Sequence, residues 1–289
     1  MNQLGVVCCH FNFCVYRCRL ANYHQFRQGV ERTGCELLTI ECVAPGQASE
    51  LEHLPNVVTL TGDIMWQKER LWQFGGEEMV RRGYERIAFM DADVIFEDER
   101  WPQVVFDALD SNVVIQPFAE VEHRFSDRIL KQKSALSQKA NRPARGIAFA
   151  CRSEFILEVG FYDRCIVGGG DGALVKAVLM DDERSFERDL RQSNLFLNAA
   201  MRTHYGEWAK KCHAYVRDRW GHASLRLTAL SHGRFKDRRY ASRHALLRTF
   251  DPERDVAIRG GTLSWSILDQ NIWMRISNYF RKRDEDDAS

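Results

Sequence analysis

The sequence predicts an α/β fold, with a mostly parallel central sheet flanked by helices. Three observations carry this: short apolar runs bounded by charge, helical spacing between them, and an acidic pair placed where one run ends. The first run, residues 4–9 (LGVVCC), reads as a strand buried on both faces. Residues 23–33 have helical spacing that stops at Gly34, and residues 35–42 (CELLTIEC) form a second strand ending near Glu41. A third strand is expected over 57–60. Residues 67–82 place Leu71, Phe74, Met79 and Val80 at helical spacing, with Gly75 and Gly76 expected to bend or split the helix. Residues 86–90 (RIAFM) are the strand that delivers the acidic pair.

Further along, 101–109 reads as a helix and 112–117 (NVVIQP) as a strand. Residues 119–145 are polar and charged, which predicts a mobile excursion over the surface. Residues 147–151 return to the sheet, a helix is expected around 154–159, and GFYDRCIVGGGDGALVKAVLM sets a three-glycine turn and Asp171 before an apolar helix. The end, RKRDEDDAS, is expected to fray. The expected organisation is a first half over 1–118 that ends after the strand with the acidic pair, a second half of the same domain over 119–235, and a basic, aromatic extension over 236–289.

Among 289 residues, 45% are hydrophobic and the formal net charge is only +1, so the whole molecule is not a general polyanion binder. The charge is uneven. Residues 201–260 hold fourteen Lys and Arg against six Asp and Glu, whereas 51–100 hold six against eleven. Nine cysteines, two of them inside the first strand, predict buried thiols in a reducing compartment rather than a disulfide framework. Cys14 and Cys18 lack the second pair that structural zinc requires. No signal-like leader and no apolar run of about 18 residues is present, which predicts a soluble, cytoplasmic protein without a transmembrane segment.

Asp91 and Asp93 interrupt two apolar stretches, 87–90 and 94–96. Unpaired carboxylates at the end of a buried strand are costly, so a cation is expected beside them. Side chains two apart on extended chain point the same way, and the carboxyl ends of parallel strands form the ligand crevice of open sheets. Two hard oxygen ligands there suit Mn²⁺ or Mg²⁺, with phosphate oxygens and water filling the other positions.

The phrase FMDADVIF resembles the DXD motif of metal-dependent glycosyltransferases of the GT-A fold. HFNFCVYRCRLANYHQF, WQKERLW, GFYDRCIVGGGDGALVKA, SHGRFKDRRYASRHALL and FDPERDV are similar, in that order, to phage and bacterial enzymes of this type. The resemblance implies a nucleotide-diphosphate sugar donor, by default a UDP-sugar. Asp93 is then the direct metal ligand, Asp91 a ligand or a contact to ribose or metal-bound water, and His232 a further ligand, with His222 as the competing choice. His10, Phe11 and Asn12, with Arg17 and Glu41, fall where base and ribose are received; Trp66, Lys68 and Arg70 fall where a base stacks and a diphosphate is paired. Asp171 matches the turn that presents the catalytic base of inverting members, its alternative being a helix cap. The chain departs from the pattern at Phe13, where relatives often have Pro, and at Gly172, where a second carboxylate is common.

Resemblance to phage enzymes implies a hydroxymethylated pyrimidine in DNA as acceptor, with phosphate contacts from the late basic segment and base support from Trp220, Phe235 and Tyr240. The bland reading of that segment is a helix whose arginines pair with the diphosphate or with the protein's own acids. A cell-surface glycan or lipid-linked saccharide is the other acceptor class. Two rivals come from other classes: a haloacid-dehalogenase-like phosphatase, with Asp91 as nucleophile and residues 180–183 (MDDE) as its later acidic pair, and a non-catalytic nucleotide-sugar or DNA-binding module.

Overall fold

An apolar run of seven residues has no polar face to offer water, and every residue of β1 (Leu4–His10) is buried. The computed structural model describes residues 3–125, 127–137, 141–234, 239–240, 243–266 and 270–286. After β1 come α1 (Arg17–Glu31), β2 (Leu37–Val43), β3 (Val57–Thr61), α2 (Lys68–Arg81), β4 (Arg86–Met90), β5 (Val94–Phe96), α3 (Trp101–Ala108), β6 (Val114–Gln116), β7 (Glu120–Arg124) and β8 (Ile129–Lys133). The chain continues with β9 (Ala148–Arg152), α4 (Ser153–Glu158), α5 (Gly170–Val178), α6 (Glu183–Gln192), α7 (Ala199–Val216), β10 (Trp220–His222), β11 (Arg226–Ala229), β12 (Val256–Arg259), β13 (Thr262–Trp265) and α8 (Gln270–Arg281).

The fold is α/β. Its central sheet has seven strands in the order β10-β6-β9-β4-β1-β2-β3, with β9 antiparallel to β4 and β6 and the other pairings parallel. Period-two alternation divides β1 between two cores: Val6 and Cys8 pack with Tyr23, Phe26 and Val30 of α1, whereas Val7 and Cys9 pack with Leu71 and Trp72 of α2. A second sheet, β5-β11-β7-β8, stands beside it, and β12-β13 form a hairpin.

Several expectations are corrected. α2 runs unbroken through its two glycines, because they serve close packing: a Cβ on Gly75 would lie 2.6 Å from Val7 Cγ1, and one on Gly76 would lie 3.0 Å from Phe89 Cζ. α1 begins at Arg17, six residues earlier than its apolar spacing indicates. Residues 119–145 are not a plain surface excursion, since β7 and β8 pair as a hairpin within the second sheet. Among its described residues the late basic segment forms no α-helix; it supplies β10, β11 and a short 3₁₀ turn, Arg243–Leu247. Residues 281–286 are anchored rather than frayed, as described below. The expected boundary between 235 and 236 lies outside the described residues, as does Phe235.

Candidate active site

β1 has β2 and β3 on one side and β4 on the other, so the sheet changes its direction of growth between β1 and β4. The carboxyl ends of those two strands part there and leave a crevice. His10 and Phe11 end β1; Asp91 and Asp93 end β4. Both pairs line a cavity of about 600 Å³, which Trp66, Lys68, Asp171, His232, Tyr240 and Arg243 also line. Residues of the β7–β8 hairpin, Lys176 and the segment 193–195 extend its wall.

At the centre, Lys68 Nζ lies 3.0 Å from Asp91 Oδ1 and 2.6 Å from Asp171 Oδ2. The cation expected beside Asp91 is therefore this lysine, supplied by the chain itself. It begins α2, and its ammonium also sits 4.6 Å from the Trp72 ring centre. Burial works to lower its pKa, but Asp171, Asp91 and Glu69 overcome that and hold it well above the usual lysine range. Three carboxylates against one ammonium leave negative charge over. Desolvation, with Asp171 and Asp93 adding to it, pushes Asp91 up to about 7, and desolvation pushes Glu69 up to about 8. Glu69 is buried beneath Gly170, where its Oε1 has no hydrogen-bond partner.

Asp171 stands in the first turn of α5, not before it, and does not cap the helix. The N-cap is Gly169, whose φ of 110° only glycine adopts readily, and no side chain caps there. Lys68 holds Oδ2, whereas Oδ1 is buried without a hydrogen-bond partner among the described residues.

Asp93 and His232 form the second polar pair, with His232 Nε2 3.2 Å from Asp93 Oδ2. His232 Nδ1 lies 3.0 Å from Glu285 Oε2, and because a carboxylate only accepts, Nδ1 is the donor. Glu285 is 2% exposed and pairs with Arg19 at 2.7 Å and with Arg283. Burial would raise its pKa, but Arg19, Arg283 and His232 hold it well below the usual carboxylate range. Gly233, at φ 83°, gives the tail room: a Cβ there would lie 2.8 Å from the Asp284 carbonyl oxygen. Sequence analysis gave no role to Glu285, Arg243 or Glu69, although Glu69 lies in WQKERLW, Arg243 in SHGRFKDRRYASRHALL and Glu285 in the acidic run expected to fray.

The remaining expected residues divide clearly. His10 lines the cavity with its ring held by Glu50 at 2.8 Å, and Trp66 lies edge-on to Phe11 at 5.3 Å. Asn12 does not line it; it closes the turn after β1 through Tyr16 N and O at 2.9 and 3.0 Å. Arg17 is exposed at the start of α1. Glu41 is buried and accepts from Glu50 N at 2.7 Å and Thr59 Oγ1 at 2.9 Å, which makes it a loop anchor. Arg70 is buried between Asp163 and Glu77, each 3.7 Å away. His222 is exposed outside the cavity and Trp220 packs against the core, so neither meets the site. Asp182, within the acidic run 180–183, caps α6 through Arg184 N at 2.9 Å and Ser185 N at 3.1 Å. A phosphatase's second acidic pair is thus not brought to Asp91.

Among the described residues no group of three His, Cys, Asp or Glu is arranged to hold a metal. The donor pair Asp93 and His232 nevertheless fits one. Neighbouring ligands of an octahedral ion with bonds of ~2.1 Å lie about 3 Å apart, as these two atoms do, and Glu285 behind the imidazole orients it. Mn²⁺ or Mg²⁺ characteristically takes one or two protein ligands and leaves the rest to phosphates and water. The nine cysteines are all free thiols. No helix among the described residues is long and apolar enough to cross a membrane.

No family model and no curated protein matches the chain. Among solved structures it is similar to the catalytic domain of Drosophila beta-1,4-galactosyltransferase 7 in complex with xylobiose, at 14% identity over 65% of this chain and 62% of that chain, TM-score 0.37. A mutant of that enzyme in complex with manganese, UDP-Gal and xylobiose matches at 14% identity over 64% and 61%, TM-score 0.35. A Desulfovibrio desulfuricans protein described as a nucleotide-diphospho-sugar transferase matches at 11% identity over 100% of each chain, TM-score 0.38. The chain thus spans about three fifths of the galactosyltransferase domain, and at these identities and scores the likeness reaches neither site nor substrate.

Proposed function

We propose that this protein is a metal-dependent glycosyltransferase of GT-A type, moving a sugar from a UDP-sugar to an acceptor hydroxyl, with Asp171 as the base. The observation that carries the reading is the divided state of the Asp171 carboxylate: Oδ2 is fixed by Lys68, and Oδ1 is buried beside the cavity with no hydrogen-bond partner among the described residues. An acceptor hydroxyl in the cavity gives its proton to the Asp171 carboxylate, whose Oδ1 turns to meet it, as the acceptor oxygen bonds to the anomeric carbon. The bond from that carbon to the diphosphate breaks, and the electron pair leaves with the nucleotide. Attack opposite the leaving group inverts the sugar.

Asp93 and His232 are the residues that would hold Mn²⁺ or Mg²⁺, which supplies charge neutralisation for the diphosphate when bound. Arg243 is the cation the chain itself offers to that group: it lines the cavity beside Gly168 and pairs with no carboxylate among the described residues. His10, Phe11 and Trp66 offer the base and ribose a polar and aromatic rim. Asn12, Arg17, Glu41 and Arg70 are not part of the proposal, given where they lie. For the acceptor, the motif resemblance to phage enzymes and the cations on the cavity wall favour a hydroxymethylated pyrimidine in DNA over a neutral saccharide.

Thermal unfolding with UDP or GDP, each with and without Mn²⁺, tests the donor half. At a hundredfold excess over Kd, binding stabilises by about 2.7 kcal/mol, a rise of roughly 5 °C. The rise should require metal and one nucleotide, and should vanish in Asp93→Asn. An equal response with and without Mn²⁺, or none to either nucleotide, sinks the reading.

A further inference from the structure

Arg145 and Lys176 both line the cavity, and neither makes an ion pair or hydrogen bond among the described residues. Gly172 and Lys176 are four apart on α5 and so share a helical face. Arg145 crosses that face: its Cδ lies 3.9 Å from where a Cβ on Gly172 would stand. The two cations thus flank the residue directly after Asp171. Lys176 is half-buried and Arg145 exposed.

Their arrangement is unfavourable as it stands. Burial first, and Arg145 second, push the Lys176 ammonium below the usual lysine range, with Asp189 the one carboxylate working against them. Both side chains line one cavity, and the pull of Asp189 on Lys176 does not outweigh burial and the repulsion from Arg145. An anion between them would relieve both.

We infer that Arg145 and Lys176 form a subsite for a backbone phosphodiester of a nucleic-acid acceptor, holding it while its hydroxyl meets Asp171. This rests on the glycosyl-transfer reading and adds the acceptor's charge to it. The β7–β8 hairpin favours a nucleic-acid strand over another phosphate carrier. Its His123 and Phe125 rings stack at 6.0 Å and 13°, line the same cavity, and carry Arg128 5.3 Å from the Phe125 centre. Aromatic rings with an arginine beside them are the side-chain types that single strands stack against.

The test measures binding of a fluorescein-labelled, twelve-nucleotide thymidine oligomer to the full chain by anisotropy across a NaCl series. Each phosphate contact on a single strand contributes about −0.7 to the slope of log K against log salt. Arg145→Gln with Lys176→Gln removes that one contact and should flatten the slope by about 0.7 and weaken binding at low salt by at least tenfold. A methylphosphonate oligomer, with the bases kept and the charge removed, should bind wild type as poorly as the variant. Because the lysine is held against repulsion, Lys176→Gln should keep or raise the melting temperature, which a structural role would lower. An unchanged slope, equal binding of the uncharged oligomer, or binding of only a neutral saccharide overturns the subsite. Absence of any metal-dependent response to UDP or GDP in wild type overturns the glycosyl-transfer reading instead, and leaves the slope to decide the anion site.

Discussion

On the proposed reading the Asp171 carboxylate has two tasks, holding Lys68 through Oδ2 and taking the acceptor's proton, and one variant separates them. Asp171→Asn keeps the bond to Lys68 through its amide oxygen but loses the proton acceptor. Turnover should fall about 10²- to 10⁴-fold, while the UDP and Mn²⁺ response is retained. Near-normal turnover in that variant removes Asp171 from the chemistry. The surrounding acids leave a second mark. Glu69 has a folded-state pKa of about 8, above its unfolded value of 4.5, so the native state binds its proton more tightly than the unfolded state does. Stability from this group is therefore full below pH 4.5 and is lost as pH rises through 8; Asp91, at about 7, acts in the same direction. Glu285, held low, acts oppositely, and its contribution is lost as pH falls below the usual carboxylate range. Melting temperature should thus peak in mildly acidic buffer. Glu69→Gln should flatten the decline between pH 4.5 and 8, and an unaltered decline would assign it elsewhere.

Among the elements, α2 shows how far pattern reading reaches. Leu71 and Met79 are buried where helical spacing places them, but that spacing cannot say whether two glycines break a helix or seat it. Contact with Val7 and Phe89 decides, because a methyl group has no room there. Gly75→Ala, which improves helix propensity, should accordingly cost about 1–3 kcal/mol by overpacking, read as a lower denaturant midpoint. A gain in stability would show that α2 stands off the sheet. α1 gives the converse lesson. Its apolar residues mark the middle of the helix, but its first turn is satisfied from far along the chain: Asp286 accepts from Cys18 N at 2.9 Å and Arg17 N at 3.2 Å. No local residue announces a cap whose carboxylate lies nearly 270 positions away. The β7–β8 hairpin was hidden for a related reason, since its polar residues pair at a sheet edge and face the cavity rather than a core.

Across the whole molecule, the last described residues join the two ends of the chain to the centre of the site. Glu285 ties Arg19, Arg283 and His232 into one buried cluster, and Tyr16 Oη reaches the Arg283 carbonyl oxygen at 2.5 Å. Glu285→Gln leaves the arginines short of their charge and frees the imidazole to take either tautomer. The metal-dependent UDP response should then need 10- to 100-fold more Mn²⁺, the usual loss when the partner behind a metal-bound histidine is removed. An unchanged Mn²⁺ requirement would mean that His232 is oriented by something else.

By itself the sequence determined the α/β architecture, the strand that carries Asp91 and Asp93, and the glycine turn before Asp171. These follow from apolar runs, their period and local backbone freedom, all of which are written within a few consecutive residues. The tertiary structure alone decided that Lys68 bridges two acids, that Asn12, Arg17, Glu41 and Arg70 serve the scaffold, and that the terminal acids reach the site. Which charge neutralises which depends on distances across the fold, and spacing along the chain does not encode them.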